Sequence, residues 1–244
     1  MSRIIDKSTI LQRLTDLDRR DRPRRVFGAV VHQYKLNPPL SVSVVEQFEK
    51  LHRVSLPEDY RFFITEIGNG GAGPFYGLFP FGKHDDGHGL CDWEGGGLIG
   101  DPSKPFPQIA AWNLPESFWE SAPDPPPDIP LEEEDRLMEA WDRELEAHYL
   151  NPAIMNGAIP ICHQGCAYRQ WLVIQGDQRG FVWDDKRADD AGIAPVLSKS
   201  GEPVTFADWY LGWLDDSSRG AGVLPSSPAV PWWQGGWWRF LRGR

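Results

Sequence analysis

Residues 56–82 read LPEDYRFFITEIGNGGAGPFYGLFPFG, and the folding of this stretch decides the reading of the rest of the chain. Pro57 opens a helix where its missing N–H costs nothing, and Glu58 and Asp59 fall at the positive end of the helix dipole. Tyr60, Phe63, Ile64 and Ile67 recur at i, i+3, i+4 and i+7 as one apolar stripe. Gly68 and Asn69 tolerate the positive φ that ends a helix, and Gly70, Gly71 and Gly73 prolong the break. Pro74 to Phe79 then reads as the entry into a strand. A phosphate-cradling loop precedes a helix and uses its N-terminus, whereas these glycines follow one. Helix, tight turn and strand is therefore the reading.

Outward from this corner, Ser43-Val44-Val45-Glu46 has the form of a capping box, and Val44, Phe48 and Leu51 continue a helical stripe. A first helix is expected over residues 8–18, with Ile10, Leu14 and Leu17 on one face; the charged run 18–25 follows as a hinge, and Val26 to Tyr34 as a short strand. Downstream, residues 74–112 read as strands and turns, and the proline-rich residues 121–130 as extended loop. Leu131 to Leu150 predicts a helix with Leu137, Met138, Trp141 and Leu145 on one side and an acidic first turn. Three apolar runs, 158–162, 171–175 and 180–184, read as strands, the last two joined by a hairpin loop at 176–180. Thr205 caps a closing helix whose stripe is Phe206, Trp209, Tyr210, Trp213 and Leu214. Strands bracketed by helices favour an α+β domain over a parallel βαβ array.

Composition narrows the function classes. A net charge of −10 argues against a nucleic-acid binder, which needs clustered Lys and Arg, and it speeds encounter with a basic partner. Three Cys fit a reducing compartment better than a disulfide framework. The opening MSRIIDKSTILQRL lacks the apolar run of a signal peptide, and no stretch approaches the ~18 apolar residues of a membrane span. A cytoplasmic protein, free of membrane, is the expectation.

Three constellations bear on catalysis. His84-Asp85-Asp86-Gly87-His88, with Cys91 and Asp92 nearby, could hold a metal, but its spacing matches no defined motif. Cys162-His163-Gln164-Gly165-Cys166 suggests zinc or a redox pair, yet a closed zinc site needs four ligands and no second Cys pair exists. The carboxylates Asp184, Asp185, Asp189, Asp190, Asp215 and Asp216 come as doublets, beside Lys186 and Arg187 in the first group, and read as solvated turn residues, some of them available for binding. No catalytic residue, cofactor or metal is expected.

The segments LPEDYRFFITEIGNGGAGPFYGL (56–78), IPICHQGCAYRQWLVIQGDQRGFVWDD (159–185) and FADWYLGWL (206–214) together resemble the SUKH superfamily, which includes fungal cell-wall-assembly and glucan-synthesis regulators and bacterial immunity proteins of polymorphic toxin systems. The resemblance implies a single α+β domain with a twisted, largely antiparallel sheet and helices packed against it. It implies no enzymatic activity, and in bacterial members it implies neutralisation of a partner toxin, often a nuclease. The alternative it carries is a regulatory or scaffold module that binds endogenous partners. On this reading residues 1–25 form a helix and hinge, 26–215 the domain, 121–150 an acidic insert outside the compact pattern, and 216–244 a Trp-rich tail.

A nuclease toxin is basic around its phosphate-binding cleft, so an acidic face on the inhibitor complements it. The candidates are Asp124 and Asp128, then Glu132, Glu133, Glu134 and Asp135, with Asp184 and Asp185 from the later doublet. The protein is expected to be a monomer when free. The tail PWWQGGWWRFLRGR (231–244) holds four Trp and one Phe beside three Arg; partner anchor, interfacial membrane segment and rings folded back into a groove are its three readings.

Overall fold

The Asp6 carboxylate accepts the Thr9 N–H at 2.7 Å and so starts helix α1 (Lys7–Arg20), which lays Ile10, Leu14 and Leu17 into the core. The computed structural model describes residues 4–85, 90–93, 99–165 and 167–220. At the end of α1 the Asp21 carboxylate accepts the backbone N–H groups of Arg25 and Val26 and the Tyr34 hydroxyl, so the charged run 18–25 is folded against the domain. Residues 26–34 are not a strand. Gly28 turns left-handed at φ 77° and one helical turn follows, α2 (Ala29–His32), with Val30 and Val31 in solvent.

Helix α3 (Val42–His52) begins at Ser41, two residues before the expected cap. Its inward face is Val45 and Phe48, whose ring meets Phe81 at 5.0 Å and Trp93 at 5.7 Å; Val44 and Leu51 stay exposed. Helix α4 (Glu58–Phe62) runs on into one π-helical turn, Phe63–Ile67, and the stripe Tyr60, Phe63, Ile64 and Ile67 is fully inside.

The glycine corner departs from expectation in detail. Gly68 is extended, and the left-handed residues are Gly70 and Gly71. Gly71, at φ 101°, exchanges two backbone hydrogen bonds with Leu78 at 2.7 and 2.9 Å. A Cβ on it would stand 2.4 Å from the Lys35 carbonyl oxygen. Residues 74–79 make no regular strand, because Phe75 takes a positive φ; they still touch the sheet through Leu78 opposite Cys162 and the Phe79 N–H on the Ile161 carbonyl.

Two short strands, β1 (Lys83–Asp85) and β2 (Leu90–Asp92), pair antiparallel. The main sheet is β3 (Ala158–Gly165), β4 (Tyr168–Val173), β5 (Val182–Asp185) and β6 (Ile193–Pro195), antiparallel throughout in that order. It is buried on both faces, so β4 ends in four consecutive buried residues, Gln170 to Val173. Alternation sorts these side chains. Ile159, Ile161, Leu172 and Val182 join the core under α1, α4 and helix α7 (Phe206–Ser218). Ala158, Trp171, Val173 and Trp183 face a second cluster with Phe106 and Met155. In α7, Thr205 Oγ1 accepts the Asp208 N–H, and the Asp59 carboxylate accepts the Ala207 N–H at 2.9 Å. The chain is a single α+β domain, and no helix among the described residues is long and apolar enough to cross a membrane.

Candidate functional site

Pro130 precedes helix α6 (Leu131–His148), and Glu132, Glu133 and Glu134 occupy the first turn, where the dipole favours negative charge. Eight acidic and two basic residues lie along it. The helix holds no buried residue, although its apolar stripe is in place. One short helix and one cap residue attach it: α5 (Glu116–Glu120) supplies rings, and the C-cap of α6 is a tyrosine, Tyr149. Trp141 lies 4.6 Å from the Phe118 ring and 6.5 Å from Trp119, and Trp119 in turn meets Tyr149 at 4.9 Å.

Tyr149 is the pin. Its ring is fully buried, its hydroxyl accepts the Gly192 N–H at 2.8 Å, and its carbonyl accepts Arg187 Nη1 at 2.9 Å. Burial pushes its phenol up to about 12. All of these contacts sit on the second half of α6. The first half stands in solvent: Leu137 is 43% and Met138 39% exposed, and Leu131 71%. An 18-residue helix is about 27 Å long, and among the described residues the ring contacts that attach this acidic, half-apolar rod lie in its second half.

The structure separates the residues that the sequence grouped as one acidic face. Asp128, in the loop before α6, and Glu132, Glu133 and Asp135, in its first turns, are exposed, with Glu134 half-buried. Asp185 belongs to the interior: Arg187 grips it through Nη2 at 2.7 Å and Nε at 2.9 Å. Asp184 accepts the side-chain amides of Gln164 and Gln170 at 2.6 and 2.8 Å on the sheet. The reading of these doublets as solvated turns therefore fails for Asp184 and Asp185, because both lie on β5. Asp215 also has structural work, bonding Arg13 at 2.7 Å to tie α7 to α1.

The chemical constellations gain little. Cys162 is buried in β3 with Sγ 3.1 Å from the Pro74 carbonyl oxygen, and burial pushes its thiol far up, so it stays protonated. Cys166 and residues 86–89 of the His84–Asp92 loop lie outside the described residues. Among the described residues no three His, Cys, Asp or Glu side chains are placed to hold a metal ion.

What the sequence missed is the exposure of the α6 stripe. Its periodicity signalled a helix, but nothing in the spacing distinguishes a covered face from an uncovered one. Comparison with family models, with curated proteins and with solved structures found no match.

Proposed function

We propose that this protein is a non-catalytic immunity protein that binds and neutralises a cognate polymorphic toxin, and that α6 is the element that meets it. The observation that carries the reading is a helix with eight acidic residues to two basic ones whose leading apolar residues, Leu137 and Met138, lack cover among the described residues. Such a face suits a basic toxin domain. Charge raises the association rate, and the few apolar side chains that become dry on binding hold the complex together. The three segments that resemble the SUKH superfamily supply the functional class, and the α+β domain is compatible with it.

The test is co-expression with a candidate toxin from a neighbouring gene, followed by binding kinetics on the purified pair. Growth rescue and a stable complex are expected. Replacing Glu132, Glu133 and Glu134 by Lys should lower the association rate about tenfold at low salt with little change in dissociation, because only steering is lost. Leu137→Ser with Met138→Ser should do the opposite and speed dissociation. Failure to rescue growth together with absence of a complex would sink the assignment for that pair, and unchanged kinetics in both variants would remove α6 from the interface.

A further inference from the structure

A groove of about 1310 Å³ runs along the outer face of α7, between that helix, the loop 196–203 and the segments carrying Phe27 and Phe75. Its floor is apolar: Trp209 and Trp213 come from α7, and Val196 and Leu197 from the loop. Leu197 is 53% exposed. Four carboxylates, Glu202, Asp208, Asp215 and Asp216, line it against two cations, Lys199 and Arg219; Asp215 already pairs with Arg13 at 2.7 Å and Asp216 with Lys199 at 3.7 Å. Gly212 sits between the two tryptophans on this face, and a Cβ built there would meet nothing within 4 Å. A glycine inside a helix disfavours it relative to alanine, so the notch it leaves needs another explanation.

Arg219 caps α7 and also lines the groove, and in sequence residues 221–244 follow one residue later. Those residues carry Trp232, Trp233, Trp237, Trp238, Phe240 and Leu241, three arginines and no acidic side chain. Helix α7 is 13 residues, about 20 Å long, and a few extended residues span it. We propose that the aromatic residues of 232–241 occupy this groove in the same molecule, one ring entering the notch at Gly212 while Arg239 and Arg242 face the carboxylates. The match is one of chemistry on each side: flat rings for an apolar floor, guanidinium groups for an acidic rim, and a missing side chain where a ring must enter.

Trypsin tests this on the full chain through cleavage after Arg239 and Arg242. Both sites should be cut about tenfold more slowly than in a synthetic peptide of residues 221–244, since cleavage follows the undocked population. Gly212→Leu fills the notch and favours the helix, so it should restore the peptide rate without lowering the melting temperature. Trp232→Ser with Trp233→Ser tests the same contact from the other side without touching the described fold, and should also release both sites. Cleavage at the peptide rate in the unaltered chain overturns the proposal. Protection that survives both variants overturns it too, as does protection that grows with protein concentration, which would place the tail on a second copy.

Discussion

Arg187 and Asp185 form a closed pair: both are buried, doubly bonded, and tied through the Tyr149 carbonyl to the end of α6. Removing one partner leaves a charge in the interior, so Arg187→Ala should lower unfolding free energy by about 3–5 kcal/mol in urea titrations, while Arg187→Met with Asp185→Leu should recover most of the loss. His32 answers to pH. It is buried, its Nδ1 accepts the Tyr34 N–H at 3.0 Å, and its Nε2 has no partner among the described residues. Burial, then the nearby Arg24, lowers its pKa from 6.5 to about 4, with Asp21 opposing. Between those values the unfolded chain binds the extra proton, so stability falls as pH drops through this window, by up to about 3 kcal/mol. His32→Gln should flatten the slope of unfolding free energy between pH 6.5 and 4; an unchanged slope would show that other groups set it. Neither effect is legible in the sequence, where Asp185 sits in a polar run and His32 beside two valines.

Among the elements, α1 and α7 could be read before folding because one stripe and one side-chain cap specify each. In helix α3 the inward valine is Val45, one position on from the Val44 that the stripe suggests. Three valines fall within four residues, and only tertiary contact with Phe81 and Trp93 selects the face bearing Val45 and Phe48. The Val26–Tyr34 segment carries β-branched residues suited to a strand, but Gly28 turns left-handed and a helical turn follows at Ala29–His32. For α6, extent and acidic start were legible and attachment was not, since that rests on rings from α5 brought close by the fold. Trp141→Ala should loosen this attachment. Amide exchange within α6 should rise several-fold while exchange in β4 stays as it was; equal protection would mean that Tyr149 alone suffices.

For the molecule as a whole, charge is the long-range property. With a net charge of −10 and the acidic end of α6 in solvent, association with a basic partner should slow steeply as salt rises from 0.01 to 0.15 M, while dissociation changes little, because the Debye length shrinks from about 30 to 8 Å. Stopped-flow rates across that range check it, and a salt-independent rate would place the contact away from the acidic surface.

The sheet's flanks carry a further implication. Along β3, the backbone of Tyr76, Leu78 and Phe79 already occupies the outer side, and Trp112 exchanges hydrogen bonds with Ile193 beside β6 at 2.8 and 2.9 Å. Both margins of the ladder are thus met by the chain itself at these positions, which shortens the stretch of edge open to a visiting strand. The same partial cover works against growth into fibrils through that sheet.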